Sequence, residues 1–268
     1  MKHYLSRFWL LIVTLLFIAG CAQNRSVEPD IAQQPVAQKS AAPVPVNADK
    51  AAKMQAETRS SERLGTQWGE GIGSSVTTVD LRRVSNTPLD IAQISYAASR
   101  QSGRSINEAM IANGRVGVSI LNDANGKWPL TQNGSHISLK GKKGARYQLH
   151  YRNYSGKTYE IVATVDGLDV INGSAGSLSN SGYVLKPNGT LVIEGFRKNN
   201  DEVAAFRFSA IDDAYAANTS AGSVKNTGVI GTAVFELNAP QVSPPRRPDN
   251  HPQAFPADDN GYAPPPRY

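Results

Sequence analysis

From residue 64 to about residue 238, apolar positions recur at every second residue in short runs, the period of strands with one buried face. In Tyr147-Gln148-Leu149-His150-Tyr151, polar and apolar side chains take opposite faces, and Tyr159, Ile161, Ala163 and Val165 would share one face of the next run. The pattern predicts strands over 76–84, 89–97, 115–121, 136–139, 146–153, 158–165, 182–185, 190–196, 202–209 and 228–236. Turn chemistry lies between them: Asp123-Ala124-Asn125-Gly126, Tyr154-Ser155-Gly156 and Pro187-Asn188-Gly189 place Gly or Asn where positive φ is tolerated. One helix is predicted over 105–112, with Ser105 as N-cap, Glu108 three residues later and Gly114 just past the end. The fold class expected is all-β: an antiparallel sandwich, Greek-key-like, carrying one short helix.

Both flanks lose the alternation. Residues 22–63 are rich in Ala, Gln, Pro, Ser and Val with no apolar period, a composition that cannot bury enough surface to offset chain entropy. They read as a flexible tether. After residue 238 come nine of the chain's 16 prolines, among them Pro244, Pro245 and Pro248, which favour polyproline II. This tail reads as disordered, or as a docking segment with Arg246, Arg247, Tyr262 and Tyr268 as its contacts. The run Gly69-Glu70-Gly71-Ile72-Gly73 has no phosphate-loop signature and reads as a flexible lead-in to the domain.

The first residues change the picture. Lys2 and Arg7 form a basic start, and Phe8 to Gly20 is an uncharged, mostly apolar run. Its 13 residues would span about 20 Å as a helix, short of the ~30 Å hydrocarbon core, so a signal segment fits better than a spanning helix. Ile18-Ala19-Gly20-Cys21 resembles the lipobox of bacterial lipoproteins. That resemblance implies cleavage before Cys21, acylation of Cys21 and attachment to membrane lipid; Ala22 after the Cys implies the outer membrane. Three acyl chains at about 0.8 kcal/mol per buried CH₂ would hold the chain stably. The division expected is a signal segment over 1–20, a lipid-anchored tether over 21–63, a β domain over 64–238 and a proline-rich tail over 239–268.

With Cys21 the single cysteine, a disulfide framework and a Cys-rich zinc site are excluded, and four His leave little material for a metal cluster. The formal charge of +6 comes from 28 basic and 22 acidic residues, and 17 basic against 14 acidic fall in 64–238. A balance this near neutral does not suggest nucleic-acid binding.

The most distinctive wording lies after residue 160: Val165-Asp166-Gly167-Leu168-Asp169-Val170-Ile171, Gly182-Tyr183-Val184-Leu185, Ile193-Glu194-Gly195-Phe196-Arg197 and Asn226-Thr227-Gly228-Val229-Ile230-Gly231. These phrases, in this order, resemble an uncharacterised family of exported bacterial proteins, with Leu64-Gly65-Thr66-Gln67-Trp68-Gly69-Glu70 a weaker match to its domain start. The resemblance implies one folded unit and brings no activity or cofactor with it.

Candidate chemistry is sparse. Asp166 and Asp169 lack the alternating oxygen ligands of a calcium loop; with Glu194 they are the carboxylates a glycan hydrolase would use, or else turn and cross-strand partners. Glu194 could pair with Arg207, or Asp169 with Arg197; an Arg197 facing an open groove would bind a carboxylate or phosphate. Trp68 and Trp128 could stack on sugar or pack in the core. His136 and His150 are the only His in 64–238, and no G-x-S-x-G elbow occurs there. No metal and no cofactor are expected. The leading expectation is a non-catalytic binding or assembly module that engages an envelope protein. A glycan-active hydrolase and a polysaccharide-binding domain are the alternatives.

Overall fold

The computed structural model describes residues 62–238, 252–258 and 261–268. The signal segment, Cys21, the tether up to residue 61, Arg246 and Arg247 lie outside the described residues; Glu62 and Arg63, the tether's last two, already bond the domain at Ala98 and Val224. No helix among the described residues is long and apolar enough to cross a membrane.

Alternation builds two facing sheets. In the first, Gly65–Gly73, Glu202–Ser209, Arg146–Asn153, Val116–Asn122 and Ala109–Ile111 are neighbours in that order, all antiparallel. Thr190–Ile193 pairs with Arg146–Asn153, and Gly195–Arg197 pairs with Glu202–Ser209. The second sheet is centred on Tyr159–Val165, Val229–Glu236, Asp90–Ala97 and His136–Lys140; short strands extend it at both ends. Two of its pairings are parallel: Asp90–Ala97 with His136–Lys140, and Gln253–Ala254 with Thr77–Thr78. The all-β sandwich expected from the period is the fold observed.

The core lies between the sheets. Tyr147, Leu149 and Tyr151 from one sheet meet Tyr159, Ile161 and Val165 from the other, all fully buried. Tyr147 stacks on Phe208 with ring centroids 4.3 Å apart, and Phe196 meets Phe206 edge-on at 5.1 Å. Each buried aromatic removes a large apolar area from water, so this cluster dominates the stabilisation.

Four elements differ from the sequence expectation. The helix over 105–112 is absent: Arg104–Ile106 joins one sheet and Ala109–Ile111 the other. Burial there has period two, with Ala109 and Ile111 inside and Met110 outside, and Glu108 crosses Gly117 rather than capping a helix. Tertiary burial overrides a two-turn helix that is marginal alone. The glycine-rich lead-in is a nine-residue strand, Gly65–Gly73. Its glycines permit close pairing, since a Cβ on Gly69 would stand 2.5 Å from the Ala205 carbonyl oxygen. The strand over 76–84 shrinks to Thr77–Thr78, and the one over 190–196 breaks at Glu194.

The described part of the proline-rich tail is ordered against the domain. Gln253–Ala254 adds a strand beside Tyr183–Leu185, and Ala254 and Ala263 are buried in the main core. This strand lies between Tyr183–Leu185 and Thr77–Thr78, and Pro252, which has no N–H, joins through its carbonyl, accepting from Thr77.

Candidate functional site

Asp166 ends the strand Tyr159–Val165, where Asp166-Gly167 turns the chain back into Leu168–Asp169 with both turn residues at positive φ (54° and 77°). Asp-Gly is the dipeptide such two-residue hairpins favour. The carboxylate points inward. Its Oδ1 accepts from the Tyr96 hydroxyl at 2.5 Å and the Gly228 N–H at 2.7 Å, while Oδ2 accepts from the Thr66 N–H at 2.7 Å. Thr66 Oγ1 lies 2.6 Å from both the Tyr96 and Tyr147 hydroxyls. One carboxylate thereby ties together three strands far apart in sequence. Burial pushes its pKa up to about 6 against the pull of these donors, and burial holds the Tyr96 and Tyr147 hydroxyls well above the ordinary range. A carboxylate 1% exposed, with both oxygens engaged by protein donors, is a structural clamp rather than a substrate acid.

Asp169 does a similar task for the next turn. Its Oδ1 accepts from the Ile171 and Asn172 N–H groups at 2.8 and 3.0 Å, and its Oδ2 is buried without a partner. Burial pushes this group to about 6 as well. The two acids therefore hold different turns and do not converge on a cleft.

Neither ion pair foreseen in the sequence forms. Arg197 is the largest fully buried side chain, and its donors go to neutral acceptors: Nε to the Tyr183 hydroxyl at 2.8 Å, Nη1 to the Ser74 and Asn199 carbonyls at 2.8 and 3.1 Å. It locks a loop and lines no groove. Glu194 accepts from Arg146 at 3.1 Å and Gln148 at 3.3 Å, whereas Arg207 forms a two-pronged pair with Glu70, both bonds 2.7 Å. The register explains it: Gly195 stands opposite Ala205, which sets Glu194 against Phe206 instead of Arg207. The Arg207 hydrogen bonds hold the Glu70 carboxyl below its usual range.

Trp68 lies parallel to Phe196 at 6.2 Å and tilted on Tyr215 at 4.9 Å, and Trp128 meets Phe208 edge-on at 5.4 Å. Both indoles pack against the core from partly buried positions, so they form no coplanar outer platform for a sugar ring. Ser119 stands opposite His150, but Ser119 is fully buried, and neither its Oγ nor His150 Nδ1 has a hydrogen-bond partner. No nucleophile–base pair is assembled there. Burial lowers the His150 pKa, which favours the neutral ring. Among the described residues no three His, Cys, Asp or Glu side chains gather as a metal site.

The surface feature that sequence reasoning missed is a groove of about 520 Å³ lined by Asp90, Ile91, Met110, Gln132, His136 and Ile137. It adjoins a second hollow of about 350 Å³ that shares Ser95 and His136. The groove exists because one strand is half paired. Tyr96 donates its N–H to Gly228, so the even-numbered residues of Asp90–Ala97 bond the strand Val229–Glu236. Ile91 and Gln93 turn their backbone groups the other way, where His136–Lys140 runs alongside only from Ile94 onward. The free Ile91 N–H is taken by the Asp90 carboxylate at 2.8 Å, and the other Asp90 oxygen holds the Ala112 N–H at 2.7 Å. Around this edge Ile91 is 55% exposed, Met110 51% and Leu89 43%.

No protein-family model matches the chain, and no curated protein or solved structure matches it significantly. The fold and these placements define an all-β sandwich whose acidic candidates serve the architecture and whose accessible hollow borders an open strand edge.

Proposed function

We propose that this chain is a lipid-anchored envelope protein, and that its β domain is a non-catalytic module engaging another envelope protein. Cys21 carries the acyl chains in this reading, the outer membrane receives them, and the tether sets the reach of the domain. The exported-protein wording after residue 160 fits the same setting.

One observation carries the binding half of the proposal: the strand edge at Ile91, short of the point where His136–Lys140 joins at Ile94, beside the exposed side chains of Leu89, Ile91 and Met110. An open edge with apolar neighbours suits an extended segment of a partner, held by main-chain hydrogen bonds and by alternate side chains in the groove. The engagement of Asp166 and Asp169 by internal donors weighs against a hydrolase.

A photo-reactive residue at Gln93, exposed on the same edge, tests the proposal in cells. A discrete crosslinked envelope protein that disappears in the double variant Ile91→Asp, Met110→Glu, with unchanged thermal melting, supports it. Crosslinking that is undiminished in the double variant, or absent from the start, refutes it.

A further inference from the structure

The described C-terminal segment is bound as a peptide ligand would be. At one end it adds a strand: Ala254 and Gln253 stand opposite Tyr183 and Val184, and Phe255 donates its N–H to Gly182. On its other side the Thr77 and Val79 N–H groups donate to the Pro252 and Ala254 carbonyls. Further on, the Ala263 N–H reaches the Ile171 and Arg197 carbonyls, the Tyr215 hydroxyl donates to Pro264 at 2.6 Å, and Arg267 donates its N–H to Asn218. Asp258 is held by Asn172 and Ser181. Two small side chains, Ala254 and Ala263, are the buried anchors.

Among the described residues these contacts join the segment to the body through main-chain bonds, the Asp258 carboxylate held by neutral donors, and two alanines, with no ion pair. Each bond is individually modest, about 1 kcal/mol net. The connection is also longer in residues than its span requires. Asn238 bonds Arg82 and Pro252 bonds Thr77, positions five residues apart, hence within about 20 Å, while residues 239–251 can extend roughly 45 Å. Nothing in the length of that connection obliges a segment to bind its own domain.

We propose that the receiving groove, formed by the edge of Tyr183–Leu185, the loop at Ile171 and Tyr215, binds the 252–268 segment of a second copy. The exchange yields a strand-swapped assembly. Self and swapped forms make the same contacts, so their ratio follows protein concentration against the effective concentration of the attached segment, on the order of millimolar for a connection of this length. A surface that crowds the chains favours the swap. This inference does not depend on the Ile91 groove or on lipidation.

Gln253 stands opposite Thr77, and both are accessible, which gives a direct test. Full-length chains in a Cys21→Ser background carry either Thr77→Cys or Gln253→Cys, are mixed, incubated and oxidised, and are resolved without reductant. A chain with both cysteines reports the self-bound form. The expected result is a mixed disulfide dimer beyond what either variant makes alone. Its yield should rise at least about tenfold between ~10 µM and ~1 mM, as mass action requires near a millimolar effective concentration. Adding Ala263→Trp to the Gln253→Cys chain should abolish that dimer while aromatic circular dichroism shows an intact core. An intramolecular link in the double-cysteine chain with no mixed dimer at any concentration overturns the proposal. So does a mixed dimer that Ala263→Trp leaves unchanged.

Discussion

The two buried acids make stability depend on pH in a direction opposite to that of salt-bridged carboxylates. Asp166 and Asp169 each stand at about 6 in the folded chain, against an ordinary value of 3.8. Between those values the native state holds protons that the unfolded chain has released, so stability falls as pH rises. From about pH 5 to about pH 7.5 each folded carboxyl loses most of one proton over roughly one effective unit, at about 1.4 kcal/mol per unit. The pair together gives a loss of about 3 kcal/mol, complete once the pH exceeds the folded value by a unit. Glu70, held below its usual range by Arg207, acts in the opposite sense but only at lower pH, outside this window; His150, whose pKa burial lowers, gains stability with rising pH inside it, so the measurement is made on chains carrying His150→Gln. Urea unfolding at several pH values measures the effect as a shift in midpoint at constant slope. Asp166→Asn should halve the pH dependence. It should also cost about 1–3 kcal/mol at the acidic end, because an amide NH₂ would face the Thr66 N–H where the carboxylate oxygen accepted it. A stability that is flat or increasing from pH 5 to 7.5 would refute the reasoning, as would full pH dependence in Asp166→Asn.

Three further outcomes follow from the same geometry. Arg197→Leu should destabilise by at least about 3 kcal/mol in urea unfolding, since the buried Ser74 and Asn199 carbonyls and the Tyr183 hydroxyl lose their donor. Arg207→Ala should cost less than about 1 kcal/mol by the same assay, because the Glu70 pair is largely solvent-exposed and screened. Cys21→Ser should move the protein from the membrane pellet to the soluble fraction with an unchanged melting temperature of the β domain; a variant that remains in the pellet would contradict acyl anchoring.

Much of the sandwich was legible because its rule is local: a strand with one wet face writes period two into the sequence, as at Tyr147–Tyr151 and Tyr159–Val165. What failed to show was set by distant partners. The strand Gly65–Gly73 has too few side chains to display a period, and its pairing depends on the backbone of Ala205 passing close to Gly69. Ser105 and Glu108 carry a helix-start pattern, yet the residues beside them are claimed by two different sheets. For the site, the identity of Asp166 as an important acid was readable, but its role was not, because Thr66, Tyr96 and Gly228 meet it only after the two sheets face each other.

The open groove did leave a trace. In the run from Leu89, the inward residues Ile94 and Tyr96 fix the phase, and that phase turns Leu89 and Ile91 outward with Gln93 and Ser95. Apolar residues on a strand's solvent face are unremarkable singly, but here they fall at the end of the strand that lacks its neighbour, with Asp90 bonding the free Ile91 N–H. A charged residue at an unpaired edge is a recognised guard against indiscriminate strand addition. Its presence beside exposed Ile91 and Met110 supports selective docking over general stickiness: a partner must displace the Asp90 bond and offer its own acceptor to gain the groove. By that logic Asp90→Ala would broaden what the edge captures, whereas Ile91→Asp would close it.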